Sequence, residues 1–353
     1  MNNRQRIFLI ILFLVYANVE SALAQATSDS TSVESATWRF EIDNDALFDK
    51  DNQITSGCSL QKHSAVAESW ETLEGLPKFI RQWGATLPTL TDKGLRYRAG
   101  VAVGQIIQTP ADSSRRDLNK DDVPYSGALT AQTSWYAFND DDFRGFEIVL
   151  GVVGPYSLAK QAQKFVHQVT GNSDPQGWDN QLKTEPVLNF DYMRKHKVWR
   201  KGNPTGLTAD VSMAGLVGLG NMFTKASVAL ECRWGYNMPR GFTSVPDPVG
   251  LSMHYMATLN PANSQTAAFY TTLVLRGSAF AHNIFLDGNT FRDSYSVDKE
   301  PLVGLAVAGL HYERENWGIH FNVVASTDDV DTDDALDTEG HERLGSITIE
   351  WRF

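Results

Sequence analysis

The sequence predicts an all-β fold, a transmembrane antiparallel β-barrel of about twelve strands with one short helix in an outer loop. Three observations lead there. From Thr37 onward, short stretches alternate apolar and polar residues with period 2, separated by polar punctuation. The stretches are even in number, roughly ten residues long and aromatic near their ends. The chain finishes on Ile347, Ile349, Trp351 and Phe353, an alternating strand with a terminal aromatic.

Strands are expected near 37–45, 54–64, 94–108, 125–138, 142–153, 184–196, 206–218, 222–236, 266–283, 301–314, 316–326 and 344–353. Leu95, Tyr97, Ala99, Val101 and Val103 show the logic: apolar side chains on one face, small or polar ones on the other. Lipid outside and a polar lumen inside would account for that division. A soluble β-sandwich alternates similarly, but the face polarity, the terminal strand and the export signal favour the membrane. No stretch offers 18 uninterrupted apolar residues, which excludes a helical membrane protein.

Arg4 and Arg6 precede an apolar run from Ile7 to Ala17, and Ala22-Leu23-Ala24 forms an A-x-A cleavage site. Residues 1–24 therefore read as a secretory signal peptide, 25–36 as a lead-in and 37–353 as the barrel domain. The chain carries 31 Lys+Arg against 42 Asp+Glu. Without Arg4, Arg6 and Glu20 the balance is 29 against 41, a net charge of −12, and nucleic acid is not an expected partner. The two cysteines, Cys58 and Cys232, share period-2 parity with apolar neighbours on separate strands. They are expected to be free, buried thiols acting as small apolar residues rather than a disulfide.

With the N-terminus on the periplasmic side, antiparallel strands send the connections at 46–53, 109–124, 154–183, 219–221, 284–300 and 327–343 outward. One of them contains a helical pattern. In "SLAKQAQKFVHQVT" (157–170), Leu158, Ala162, Phe165, Val166 and Val169 recur at helical spacing, with Ser157 as the expected cap and Gly171 as the stop. His167 lies one step from that stripe, on a polar face with Lys160, Gln163 and Lys164. The 65–93 connection is long for a periplasmic turn and is expected to hold an interfacial helix.

No G-x-S-x-G, C-x-x-C, H-E-x-x-H or Walker A motif occurs, so serine-hydrolase, redox and nucleotide chemistry lack support. In "FEIDNDALFDKDNQITSG" (40–57) a strand runs into Asp43, Asn44, Asp45, Asp49, Asp51 and Asn52. Such hard oxygen ligands suit Ca²⁺, although EF-hand spacing is absent and composition alone reads the segment as a solvated turn around Lys50. The run at 326–342 is more acidic and irregular, and reads as a solvated outer loop. His167 is the histidine that falls on a helix in an outer connection, a position open to a general base but by itself common for an exposed side chain.

Four separated stretches in order resemble the outer-membrane lipid A 3'-O-deacylase family. They are "EIDNDALF" with "ITSG" (41–57), "GQIIQTP" with "DDVPYSG" (104–127), "GVVGPYSLAKQAQKFVHQVTG" with "GWDNQLKTEP" (151–186), and "FLDGNTFRDSYSVDKEPLVG" (285–304). The resemblance spans nearly the whole mature chain. It implies a twelve-stranded barrel with a Ca²⁺-dependent esterase site at the outer rim that removes an ester-linked acyl chain from lipid A. Its partners would be lipid A or lipopolysaccharide and outer-membrane lipid, with the chain as a monomer in the outer membrane. Residue by residue, the family's Asn-Asp pair falls on Asn44 and Asp45, which would also hold the metal, its second-strand hydroxyl on Thr55 and its loop-helix histidine on His167. Its substrate-binding lysine has no identical counterpart, leaving Arg115 nearest and Lys120 second. Pro175 stands roughly where the family has a tyrosine.

Two further expectations follow. If Trp38, Phe40 and Ile42 face lipid, Asp45 faces inward while Asn44 faces outward, so one site can use both only if the strand bulges or ends between Asp43 and Phe48. Rival readings are a non-catalytic barrel, either channel or structural, and a phospholipase acting on glycerophospholipid esters. Whether inward side chains fill the bore decides the channel reading.

Overall fold

The computed structural model describes residues 36–45, 53–242, 263, 265–331 and 340–353. The segment read as signal peptide lies outside these residues. Twelve strands follow one another: β1 (Thr37–Asn44), β2 (Gln53–His63), β3 (Arg96–Thr109), β4 (Ser126–Phe138), β5 (Asp142–Val153) and β6 (Glu185–Gly202). The second half comprises β7 (Leu207–Gly220), β8 (Phe223–Tyr236), β9 (Ala268–Asn283), β10 (Leu302–Glu313), β11 (Trp317–Asp328) and β12 (His341–Arg352). Each pairs antiparallel with its chain neighbours, and β1 pairs with β12 to close the barrel.

The register assigns every side chain to a face. On β1, Thr37, Arg39, Glu41 and Asp43 are buried inside, while Trp38, Phe40 and Ile42 point out, opposite Trp351, Ile349 and Ile347 of β12. Cys58 pairs with Ile42, and Cys232 lies between inward-facing Glu231 and Arg233. Both thiols are free, but Cys58 is exposed and Cys232 half-exposed on the lipid side. The expected burial is therefore corrected: their apolar surroundings are the bilayer rather than a protein core.

In the outer part of the barrel, apolar side chains share the inward positions with buried charged ones such as Asp43, Glu185, Lys225 and Glu342. Ile54, Ile106, Val149, Val187, Val274 and Val307 belong to one buried apolar cluster. Phe285 caps it from the short helix α3 (Ile284–Asp287), stacked on Phe223 at 5.8 Å, and the inward Gln108 amide donates to the Phe285 carbonyl at 2.9 Å. Below lies a buried ionic layer. Lys195 meets Glu231 at 2.7 Å, Arg233 holds Asp210 through two nitrogens, and Arg352 bridges Glu313 and Glu350. Paired charges satisfy one another where a lone ion would be costly. At the periplasmic mouth Phe242 packs among Tyr136, Phe138 and Phe143, and Lys197 donates to the carbonyls of Arg240 and Gly241. A water-filled pore would leave lumen side chains accessible, whereas here Arg39, Glu313 and Glu350 are at most 2% exposed.

The 65–93 connection carries α1 (Lys78–Gly84), which docks on the outside of β3–β5 rather than hanging in the periplasm. Trp135 donates its indole N–H to the Ile80 carbonyl at 2.7 Å, and Trp70 donates to Leu90 at 2.9 Å. Phe79 and Trp83 remain exposed, as an interfacial helix requires.

Reconstituted into a planar bilayer, the protein is expected to show no porin-like conductance steps; stable ohmic openings would show that the bore clears. A second expectation concerns the outer cap. Burial pushes the Asp287 carboxyl up, but hydrogen bonds from His282, Lys299 and the Asn283 N–H outweigh it and hold the group at about 2, against an ordinary value of 3.8. The anchoring is thus fully present above the ordinary value and is lost as pH falls through about 2. Protection against amide exchange across residues 284–299, taken relative to the intrinsic rate at each pH, should fall on acidification toward that value and not between neutral pH and about pH 5.

Candidate functional site

At the outer end of the wall one hydrogen-bonded row faces outward: Gly345, Asn44, Ser56, Ile107 and Gly127, contributed by β12, β1, β2, β3 and β4. β1 ends at Asn44, which is half-buried on this row, and Asp45 has left the strand and is 4% exposed. Residues 46–52 lie outside the described ones, so the expected distortion is seen only as the end of the strand. Across from it β2 carries a β-bulge between Ile54 and Ser56, which makes Thr55 the extra residue of the ladder. Ile54 points inward into the apolar cluster while Ser56 stays on the outward row, so the bulge changes the facing of β2 where the candidate site begins.

The predicted helix is present as α2 (Ala159–Thr170), but its start differs from expectation. Ser157 belongs to a preceding 3₁₀ turn, and the N-cap is Leu158 in left-handed geometry, φ 60°, with no side-chain cap. The Ser157 hydroxyl still accepts from the Ala159 N–H at 3.4 Å, so it serves the first turn from one residue before the cap. Gly171 ends it in left-handed geometry, as its missing Cβ allows.

α2 lies on the outside of the barrel. Its first turn is pressed against β4 so closely that a Cβ on Gly127 would sit 2.1 Å from the Ala159 Cβ. The Gln105 side chain donates to the Ser157 carbonyl at 2.6 Å, and Ile107, Tyr125, Ala159 and Trp178 form a buried cluster. Trp178 in turn donates to the Gln163 side-chain oxygen at 2.8 Å and stands 5.0 Å from the Tyr125 ring. The wide apolar stripe faces the other way: Leu158, Phe165, Val166 and Val169 are all at least half exposed. They meet the bilayer, while the small residues Ala159 and Ala162 meet the protein.

His167 is half-buried in the last turn of α2, with Nδ1 2.6 Å from the Ser173 carbonyl. A carbonyl can only accept, so Nδ1 carries the proton and Nε2 keeps its lone pair for another partner. Lys160 and Asp179, 2.8 Å apart, and Lys164 and Asp174, 3.9 Å apart, hold the returning loop beside the helix.

Asn44 and Asp45 are thus adjacent at a strand end, Thr55 lies across the ladder from them, and the helix bearing His167 packs on the same row. α2 is seated on β3 and β4, through Ile107 and Gly127, two and three strands along the row from Asn44. The loop that carries Arg115 packs against the segment returning beside α2, where the Gln176 N–H donates to the Ser113 carbonyl at 2.9 Å and the Asn180 amide to the Arg116 carbonyl at 2.7 Å. The Arg115 guanidinium holds Asn119 at 3.0 Å and Asp117 at 3.1 Å within its own loop, and the Lys120 carbonyl accepts from Tyr295 in the outer cap. Among the described residues no three His, Cys, Asp or Glu side chains converge to hold a metal. The donors present, a buried carboxylate and an adjacent amide, fit a hard cation in type and would form part of an oxygen shell. Gly127, Gln163 and Trp178, which set the helix in place, carry no chemistry of their own and give no signal in sequence as site residues.

The model of one protein family, described as outer membrane protein LpxR, matches residues 7–353. The chain belongs to the LpxR family. Among solved structures this LpxR-family barrel is similar to LpxR from Salmonella typhimurium, with a TM-score of 0.71 at 13% identity over 90% of this chain and 100% of that one. The β domain of the Bordetella autotransporter BrkA shares 8% identity at a TM-score of 0.43, covering 91% of this chain and 100% of its own. No curated protein matches the chain by sequence. The family and the closed twelve-stranded fold together make it an outer-membrane barrel, as the alternation predicts.

Gly127→Val should push α2 off the wall while leaving the barrel closed. Limited proteolysis would then cut within 154–184 in a protein that keeps its heat-modifiable gel mobility; a protected helix would show that the glycine contact is dispensable.

Proposed function

We propose that this LpxR-family protein is a calcium-dependent esterase that removes an ester-linked acyl chain from lipid A. The observation that carries the reading is where His167 sits: on an outward-facing helix whose apolar stripe meets the bilayer, docked on the same ladder row as Asn44. A site built there opens to lipid rather than to the lumen or to free solution. Its substrate would therefore be a lipid of the outer leaflet.

His167 acts as general base through Nε2. It takes a proton from water as the oxygen attacks the ester carbonyl, then returns it to the departing alcohol oxygen, so that acid and alcohol leave. The Nδ1–H bond to Ser173 fixes the ring orientation and stabilises the imidazolium that forms in between. Asp45, with Asn44, would hold Ca²⁺, which when bound supplies positive charge where the oxyanion develops. Thr55 would position water or substrate by its hydroxyl, and Arg115 and Lys120 are the cations assigned to substrate phosphates. A phospholipase reading uses the same chemistry on glycerophospholipid esters and differs only in substrate.

Purified protein incubated with lipid A and Ca²⁺ in detergent should yield a product lighter by one acyl chain, resolved by mass spectrometry and suppressed by a chelator. Intact lipid A alongside cleaved glycerophospholipid would transfer the activity to the rival substrate, and no cleavage of either would remove the enzyme reading. His167→Ala should lower the rate by about 10²–10⁴-fold, the usual weight of a positioned base. Undiminished turnover in that variant would dismiss His167 from the mechanism.

A further inference from the structure

The wall away from the candidate site carries a second outward row with an unusual composition. Reading across the ladder from β5 to β10, its members are Arg144, Arg194, Gly215, Val228, Gly277 and Gly304. Two arginines stand directly opposite one another, followed by three glycines and one valine. Arg144 lies two residues into β5 from its periplasmic end, and Gly304 two residues into β10 from its outer end. The row therefore starts at the periplasmic headgroup level and climbs through the hydrocarbon region.

The glycines leave real space. A Cβ on Gly215 or Gly277 would meet nothing within 4 Å, and one on Gly304 would meet only the Thr327 side chain. The result is a shallow groove of about 810 Å³, lined by Tyr192, Arg194, Gly215, Val228, Gly277 and Gly304 among others. Val217, Leu275 and Leu302 stand exposed around it. From Arg194 to Gly304 the floor crosses four strand spacings, roughly 19 Å, a little more than the ~15 Å of hydrocarbon in one leaflet.

The charges make the choice of occupant. Like charges directly opposite on a ladder repel. Arg144 is compensated, since its guanidinium pairs with Asp92 and donates to the Thr89 carbonyl at 2.7 Å. Arg194 is exposed and, among the described residues, has no ion-pair or hydrogen-bond partner. An unpaired guanidinium on the lipid face is costly unless it reaches an interface or an anion. A phosphate matches its planar fork, with two parallel charge-assisted hydrogen bonds.

We propose that this groove binds an anionic glycerophospholipid of the periplasmic leaflet, its phosphate on Arg194 and one acyl chain along the Gly215–Gly277–Gly304 floor. The charged end and the apolar floor together require an amphiphile, and the level of Arg194 selects the periplasmic leaflet. The site is independent of the His167 row and of any reaction there.

The test uses the folded full-length barrel in detergent, titrated with phosphatidylglycerol or with phosphatidylcholine of the same chains, with bound lipid counted by native mass spectrometry. Phosphatidylglycerol should be retained about tenfold better, the weight of one charge-assisted contact. Arg194→Ala should reduce that preference to near parity, and Arg194→Lys should restore part of it. Gly277→Leu, which fills open space rather than displacing a neighbour, should lower retention of both lipids while heat-modifiable mobility stays normal. Equal retention of the two lipids by the unaltered protein would overturn the proposal without recourse to any variant. So would an undiminished preference in Arg194→Ala, or a Gly277→Leu variant that retains lipid but converts a dimer into a monomer, since the groove would then be a contact between copies.

Discussion

The structure depends on the pairing of β1 with β12. Eight residue pairs from Thr37 with Arg352 to Asn44 with Gly345 join the chain's two ends. The hydrocarbon interior offers no partner for a strand edge, so an unclosed sheet would carry unpaired backbone groups in a medium that cannot satisfy them. Closure also fixes parity for all twelve strands at once. A slip of one residue would turn Arg39 and Glu41 toward lipid and Trp38 and Phe40 into the lumen, which the ionic layer inside could not accommodate.

That constraint explains why the candidate site lies where the regular pattern stops. Within the ladder, consecutive residues cannot share a face, so chemistry that needs neighbours needs a break. β1 supplies one by ending at Asn44, and β2 supplies another by bulging at Thr55. The helix adds a third component from outside the wall, seated by an absent side chain at Gly127 and a buried Trp178–Gln163 hydrogen bond. The site is assembled from departures, each held by regular structure on either side.

How much of this was legible in the sequence varied with the physics involved. Alternation located β4 to within a residue, because a lipid face and a lumen face impose period 2 on every membrane strand. It fell short on β6, whose 18 residues run on through "KHKVWRKG". That polar run reads as a loop until Lys195 and Lys197 find Glu231 and Asp210 across the lumen. Helical periodicity found α2 and its stripe, yet periodicity names a face without naming what the face meets; here the stripe meets lipid. The acidic strand end was visible as a cluster of oxygen ligands, while the roles of Gly127 and Trp178 depend on contacts between segments far apart in the chain.

The pairing of the lumen ions carries a consequence for assembly. Asp210 meets Arg233 between β7 and β8, Lys195 meets Glu231 between β6 and β8, and Glu313 meets Arg352 between β10 and β12. Each of these pairs joins strands at most two places apart in the chain, so none of them waits for β1 to reach β12. A growing sheet can neutralise these costly groups locally, before the ring closes. The charges that would make an unfinished barrel expensive are thereby settled in chain order, ahead of the closure that satisfies the sheet's edges.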